Sequence, residues 1–424
     1  MGGWTALSGY MDTRSIAIIA AFDTKGVEAR FLEDIIRQRG HRTLTIDVGV
    51  LSDPQVQTDI TAREVALQGG AELETLRRSG DKAKAMEVMT RGAAVVAARL
   101  YAARRFDAIM GLGGTAGTAI GSSAMRALPI GVPKVLVSTI AAGDTRPYVG
   151  TKDITMMPSV VDIAGLNRIS TRVLGNAAGA VIGMVETELP PRQERPLIAA
   201  SMFGNTTLCV NRARKDLEVA GFEVLVFHAT GAGGMTMESL IADGHVDGVL
   251  DVTTTEWADE LCGGVFSAGS RRLDAAALAG IPQVVAPGCL DMVNFWAPET
   301  VPAKYAKRQL YRWNPNTTLM RTNVAENQEL GRILAEKINQ STGPVTVFLP
   351  GGGLSQLDSV GAAFWCPEAD QALFASIRKH LRTDIPVVEL TANINDPEFA
   401  DRAAQALLEM MKMRTPGASL QSLA

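Results

Sequence analysis

The sequence predicts an α/β chain of two Rossmann-like subdomains, with mainly parallel sheets, helices on both faces and an internal duplication. Three observations carry that reading. Short β-branched runs are too continuously apolar for a half-exposed strand, amphipathic stretches separate them, and the order of motifs recurs about 181 residues later.

Ser15 to Ala21 (SIAIIAA) has the composition of a strand buried on both faces. Phe22 to Gly26 (FDTKG) interrupts it. Val27 to Arg39 then sets Val27, Phe31, Leu32, Ile35 and Ile36 on one helical face, Gly40 stops the helix, and Thr43 to Val48 forms the next strand. Asp107 to Leu112 runs as a strand into Gly113 to Thr118 (GGTAGT), helical residues continue to Leu128, and Lys134 to Thr139 is a further strand. Between these blocks, residues 52–105 read as a helical insertion with no strong strand signal. Residues 1–13 are irregular, and Met11 is a second candidate start.

Arg195 to Thr230 repeats the pattern of Arg14 to Gly49. Leu197 to Ser201 is the strand, Phe203 to Thr207 (FGNTT) the break, Leu208 to Ala220 the helix and Glu223 to His228 the second strand. Asp247 to Val252 matches the strand at Asp107, and Gly280-Ile281-Pro282 matches Gly131-Val132-Pro133. The halves meet near Glu188 to Pro196, a charged stretch with prolines, so the expected subdomains are 14–190 and 191–424. Val345 to Leu349 and Pro386 to Leu390 extend the second sheet, and Asp396 to Met413 is a final helix.

Lysine and arginine total 41 against 45 aspartate and glutamate, a net charge of −4 that disfavours nucleic acid as a partner. The 4 cysteines are far apart with no CxxC pair, which argues against a zinc site or a disulfide framework and for a reducing cytoplasm. No apolar run reaches the roughly 18 residues of a membrane span. No HExxH or similar spacing supports a metal site.

Ligands of open parallel sheets lie beyond the carboxyl ends of the strands, so the loops there are the candidate sites. Asp23-Thr24-Lys25-Gly26 leads into a helix start and adds a lysine and a hydroxyl; phosphate binding and simple helix capping both account for it. Gly113, Gly114, Thr115, Gly117 and Thr118 combine close backbone approach with two hydroxyls before a helix, as an anion nest or a ligand-free glycine turn would. Asp144 offers a carboxylate to a sugar hydroxyl or metal and Arg146 a cation to a phosphate, or the two form a surface ion pair. Asp47 ends the second strand where dinucleotide folds place a ribose-binding acid, yet neither GxGxxG nor GxxxxGK[ST] is present. Any nucleotide is therefore held by a nonstandard loop set.

In the second half, His228 ends a strand before a glycine-rich loop and pairs on paper with Glu256 or Asp251 as an acid and base. A satisfied buried histidine is the preferred reading. Cys289 sits in a nucleophile-like position without an identifiable base. Aromatic and basic residues crowd together from Trp296 to Arg321, either to stack and track an anionic strand or, as we prefer, to pack on a partner subunit.

IAIIAAFDTKGVEARFLEDIIRQRGH, TIDVG, MGLGGTAGT, HATGAGG and FLPGGGLSQLD, in that order, resemble a family of bacterial proteins related to the ATP-binding amino-terminal domain of the tomato mosaic virus resistance protein. The resemblance spans about residues 14 to 413 and implies ATP as ligand, with or without magnesium, and a homo-oligomer, in the first place a dimer. It places the nucleotide on Asp23 to Gly26 and Gly113 to Thr118, with Asp47 and Asp144 secondary. The alternatives are an enzyme acting on a small anionic metabolite through His228, Glu256 or Cys289, and a protein-interaction module.

Overall fold

The computed structural model describes residues 13–54, 56–190 and 194–414. The chain divides into two units between residues 191 and 192. In the first, β1 (Ser15–Ala20) is buried along its whole length. It sits between β2 (Arg42–Asp47) and β3 (Ala108–Gly113) in a five-stranded sheet completed by β4 (Lys134–Ser138) and β5 (Thr155–Pro158). The order is β2-β1-β3-β4-β5 and every pair is parallel.

Alternate residues of β1 feed two cores, which explains its unbroken apolar sequence. Ala17 and Ile19 pack with α2 (Ala62–Gln68), α4 (Lys82–Ala102) and α5 (Thr115–Arg126). Ile16 and Ile18 face α1 (Phe22–Gln38) and α7 (Ser170–Glu186). The insertion is helical, with α3 (Leu73–Ser79) between α2 and α4. One short helix, α6 (Arg146–Val149), follows β4.

FDTKG is not the loop expected from its composition. It forms the first turn of α1, and the helix kinks at Lys25, whose φ of −125° is non-helical. Amides of Thr24 and Lys25 both donate to the Ala21 carbonyl, so a tight turn joins strand to helix with no free loop.

The second unit repeats the arrangement. Its six-stranded parallel sheet contains β6 (Leu197–Met202), β7 (Glu223–His228), β8 (Gly248–Thr253), β9 (Gln283–Gly288), β13 (Val345–Pro350) and β14 (Val387–Leu390), in the order β14-β13-β9-β8-β6-β7. Read from β7, this is the first sheet's order with one strand added. Register agrees as well: Ile109 pairs with Lys134 and Val249 with Gln283, so residues about 140 and about 149 positions apart hold equivalent places.

Helices α8 (Thr207–Val219), α9 (Ala232–Ala242), α10 (Glu256–Cys262), α11 (Asp274–Ala279), α12 (Val324–Ile338), α13 (Pro367–His380) and α14 (Pro397–Arg414) cover this sheet. An antiparallel sheet of β10 (Met292–Phe295), β12 (Thr317–Arg321) and β11 (Leu310–Asn314) was not foreseen. It takes in the carboxyl-terminal part of the aromatic and basic segment, and β11 is exposed at every residue. Among the described residues, no helix is long and apolar enough to cross a membrane.

Candidate functional site

In the order β2-β1-β3-β4, the connection from β1 runs to β2 and that from β3 runs the other way to β4, and the carboxyl end of the β1–β3 junction is where a crevice opens. A cleft of about 600 Å³ lies there, within the roughly 300–1,000 Å³ typical of small-molecule sites. Ala21, Asp23, Thr24, Lys25 and Val48 to Leu51 come from the ends of β1 and β2. Leu112 to Gly117 and Ile120 come from β3 and α5. A third wall is built by α3 and α4 through Leu76, Arg77, Gly80 to Lys82, Ala85, Met86 and Met89. A second groove of about 700 Å³ lies at the amino ends of β13 and β14, beside Arg382, Arg402 and Met410. That is the wrong end of a parallel sheet for a ligand, so the first cleft is the candidate.

The two glycine-bearing segments are thus brought together, but unequally. At α1 the early amides are already used: Phe22 donates to Asp47 Oδ1 at 3.0 Å, and Thr24 and Lys25 donate to Ala21. Lys25 Nζ reaches the Ile163 carbonyl. Asp23 Oδ2 accepts from Leu51 at 2.8 Å and Ser52 at 3.3 Å, while its buried Oδ1 has no partner. A Cβ at Gly49 would stand 2.5 Å from the Asp23 carboxyl carbon, so only glycine lets the loop after β2 close over it.

At α5 the amides remain free. Gly114 is the cap residue with no side-chain cap bond, and the first bond into the helix is Thr118 N–H to Gly114 at 2.8 Å. Among the described residues, the Thr115, Ala116 and Gly117 amides have no acceptor, and Thr115 and Ala116 are exposed to the cleft. A helix of 12 residues thus presents its positive end and unsatisfied donors to the cavity. Gly113 makes this start possible, since a Cβ there would lie 2.7 Å from the Gly117 Cα.

Four expected site residues lie off the cleft wall. Asp47 is buried and spends Oδ1 on the Phe22 and Gly49 amides, so it fastens the β1–α1 turn and offers nothing to a ribose. Burial pushes its carboxyl up from the ordinary value. Thr118 is buried and hydrogen-bonded to Ser138 Oγ at 2.7 Å. Gly26 lies past the kink, its nearest neighbour for a Cβ being Val56. Asp144 is exposed and paired with Arg146 at 2.7 Å, which holds its carboxyl down at about 2. The ion-pair explanation fits that residue.

The wall made by α3 and α4 was missed. Its signal was present in Leu73, Leu76, Met86 and Met89, apolar residues at helical spacing around Gly80, but composition alone did not say which way the insertion folds. Arg77 locks this wall down: Nε donates to the Val50 carbonyl at 2.9 Å and a terminal nitrogen to Asp53 and Glu74 at 2.9 and 3.1 Å.

The equivalent junction in the second unit is filled. Ser201 Oγ donates to Asp251 at 2.7 Å, the Thr206 and Thr253 hydroxyls bond at 2.8 Å, and Arg272 forks onto Asp251. Glu256 accepts from the Gly231 and Gly234 amides and from Arg272 Nε at 2.7 Å. Burial raises the Glu256 carboxyl, against the pull of Arg272. Its partners therefore leave no bond to His228, which is exposed and edge-on to Phe203 at 5.5 Å. Cys289 is fully buried at φ 59°, and burial raises its thiol far above the ordinary range, the opposite of an activated nucleophile. Among the described residues, no group of three or more His, Cys, Asp or Glu is placed to hold a metal.

Comparison with known proteins agrees with the division of the chain. Residues 14–190 match the amino-terminal domain of the uncharacterised protein family UPF0261, and residues 195–411 match its carboxyl-terminal domain. A UPF0261 protein of Clostridium tetani is 51% identical over 94% of this chain and 99% of its own length. The tomato (Solanum lycopersicum) ToMV resistance protein Tm-1(GCR237) is 44% identical over 71% of this chain, which covers 41% of the tomato protein. Among solved structures, the glycosyltransferase SnogD of Streptomyces nogalater aligns with 94% of this chain and 100% of its own at 12% identity and a TM-score of 0.20, too low to carry an argument. With two family domains accounting for almost the whole described chain, this protein belongs to the UPF0261 family.

Proposed function

We propose that the first unit is a nucleotide-binding module whose ligand lies in the cleft at the β1–β3 junction, phosphate on the start of α5 and nucleoside against α3 and α4. The observation behind this reading is the convergence, in one cavity, of three free amides at a helix start with an apolar wall of Leu76, Met86 and Met89. Free amides and the helix dipole favour negatively charged oxygen. The apolar wall suits a planar base, as small-molecule sites combine apolar lining with few polar anchors. ATP is the nucleotide implied by the resemblance in sequence.

Thermal unfolding with adenosine nucleotides, set beside a panel of sugar phosphates and small carboxylic acids, tests the reading. Nucleotides are expected to raise the midpoint in proportion to the logarithm of their concentration. A preference for a sugar phosphate or acid, with no response to nucleotides, would favour an enzyme of small anionic metabolites instead.

A second reading concerns the segment from Trp296 to Arg321, which includes β11 and β12. Trp296, Tyr311 and Trp313 are exposed at 49%, 36% and 44%, and aromatic exposure on this scale favours a protein contact such as a second copy of the chain. Light scattering of Trp313→Ala tests it, an unchanged mass removing the assignment.

A further inference from the structure

The charges around the cleft are unusually few for a polyphosphate site. Its lining holds three cations, Lys25, Arg77 and Lys82, and two acids, Asp23 and Asp81. Lys25 is tied to the Ile163 carbonyl, and Arg77 is held by Val50, Asp53 and Glu74. Only Lys82, exposed and without a hydrogen-bond or ion-pair partner among the described residues, is free to meet a ligand. The start of α1 is taken by Asp47 and Ala21, and that of α4 by Asp81, which accepts from Lys84 N–H at 3.0 Å. One open set of amides remains, on α5.

One helix start and one lysine free to make direct contact suit one phosphoryl group, since Lys25 keeps its charge but spends a donor on Ile163. Resting on the nucleotide reading above, we propose that the cleft selects a nucleoside with a single phosphoryl group, and accepts di- and triphosphates only when a divalent cation offsets their added charge. A phosphate monoester already carries about −1.5 to −2 at neutral pH. Each further phosphoryl would bring its charge toward the Asp23 carboxylate, whose Oδ1 has no donor. A magnesium ion brought in on the phosphates removes that repulsion, as such ions usually bind through one or two carboxylates plus substrate oxygens.

Calorimetry with adenosine, AMP, ATP in EDTA, and ATP with excess magnesium chloride tests this directly. The expected order is AMP at least tenfold tighter than ATP in EDTA, with magnesium restoring ATP and leaving AMP unchanged. Asp23→Asn, which keeps an acceptor for Leu51 and Ser52, should narrow the gap between AMP and metal-free ATP several-fold. Lys82→Gln, on an exposed side chain, should weaken AMP several-fold and adenosine not at all. Metal-free ATP binding as tightly as AMP, or an unchanged gap in Asp23→Asn, overturns the charge inference while leaving the nucleotide site standing. Absence of binding by all four probes overturns both.

Discussion

The two sheets share strand order and register but treat their central junctions in opposite ways. In the first unit the positions after β3 are Gly114, Thr115, Ala116 and Gly117, small residues that leave a cavity. About 140 positions on, the second unit carries Thr254, Thr255, Glu256 and Trp257, all buried. Glu256 places its own carboxylate on the Gly231 and Gly234 amides, and Arg272 seals it there. One copy thus fills its junction with an internal anion held on the amides that start α9, while the other leaves a cavity beside the open amides of α5. A duplicated fold can keep a structural half and a binding half by exchanging a few side chains at one point.

The plug is the place where this contrast breaks hardest. Arg272 is surrounded by Asp251, Glu256 and Glu238, all buried or nearly so. Arg272→Met would strand those carboxylates and should cost about 3–5 kcal/mol, read by urea denaturation. Four of the five tryptophans, Trp257, Trp296, Trp313 and Trp365, lie in the second unit, so tryptophan emission follows that unit.

The same signal should respond to pH. Burial raises Asp259 and Asp291 from 3.8 to about 8 and Asp370 to about 7. For a raised acid the protonated form is favoured by folding. Its contribution is complete below about 4 and is lost as pH climbs through about 8. The second unit is therefore expected to be a few kcal/mol less stable at pH 9 than at pH 6. Asp291→Asn should flatten part of that slope, and a stability that rises toward pH 9 would contradict the assignment.

In the first unit, Gly113→Ala drives a Cβ against Gly117 and should cost about 1–3 kcal/mol and distort the start of α5. The smallest change in stability and the sharpest in function belong to Ala116→Glu, which copies the second unit's plug at an exposed position. Its stability should change by less than about 0.5 kcal/mol, while nucleotide affinity falls at least tenfold. Wild-type affinity in this variant would separate the α5 start from binding.

Much of this was legible in the sequence because burial on both faces leaves a continuous apolar run. Ser15 to Ala21, Lys134 to Thr139 and Asp247 to Val252 could be read as strands for that reason, and the repeat could be aligned through them. What escaped depends on which group a side chain meets across the fold. Asp47 looked like a ribose ligand because its position along the chain is right, yet Phe22 and Gly49 consume its oxygen. Glu256 looked free to assist His228 until Arg272, a partner 16 residues away, claimed it. The β10–β12–β11 sheet was hidden behind its aromatic and basic residues, whose chemistry reads the same in a strand or a loop.

The most direct measurement labels alanine and glycine with ¹⁵N and follows the amides of Ala116 and Gly117 by NMR while AMP or adenosine is added. The account predicts that both amides shift with AMP and move far less with adenosine, because the phosphoryl group is what they hold. Equal shifts with both ligands, or shifts confined to glycines of the second unit such as Gly231 and Gly234, would contradict it.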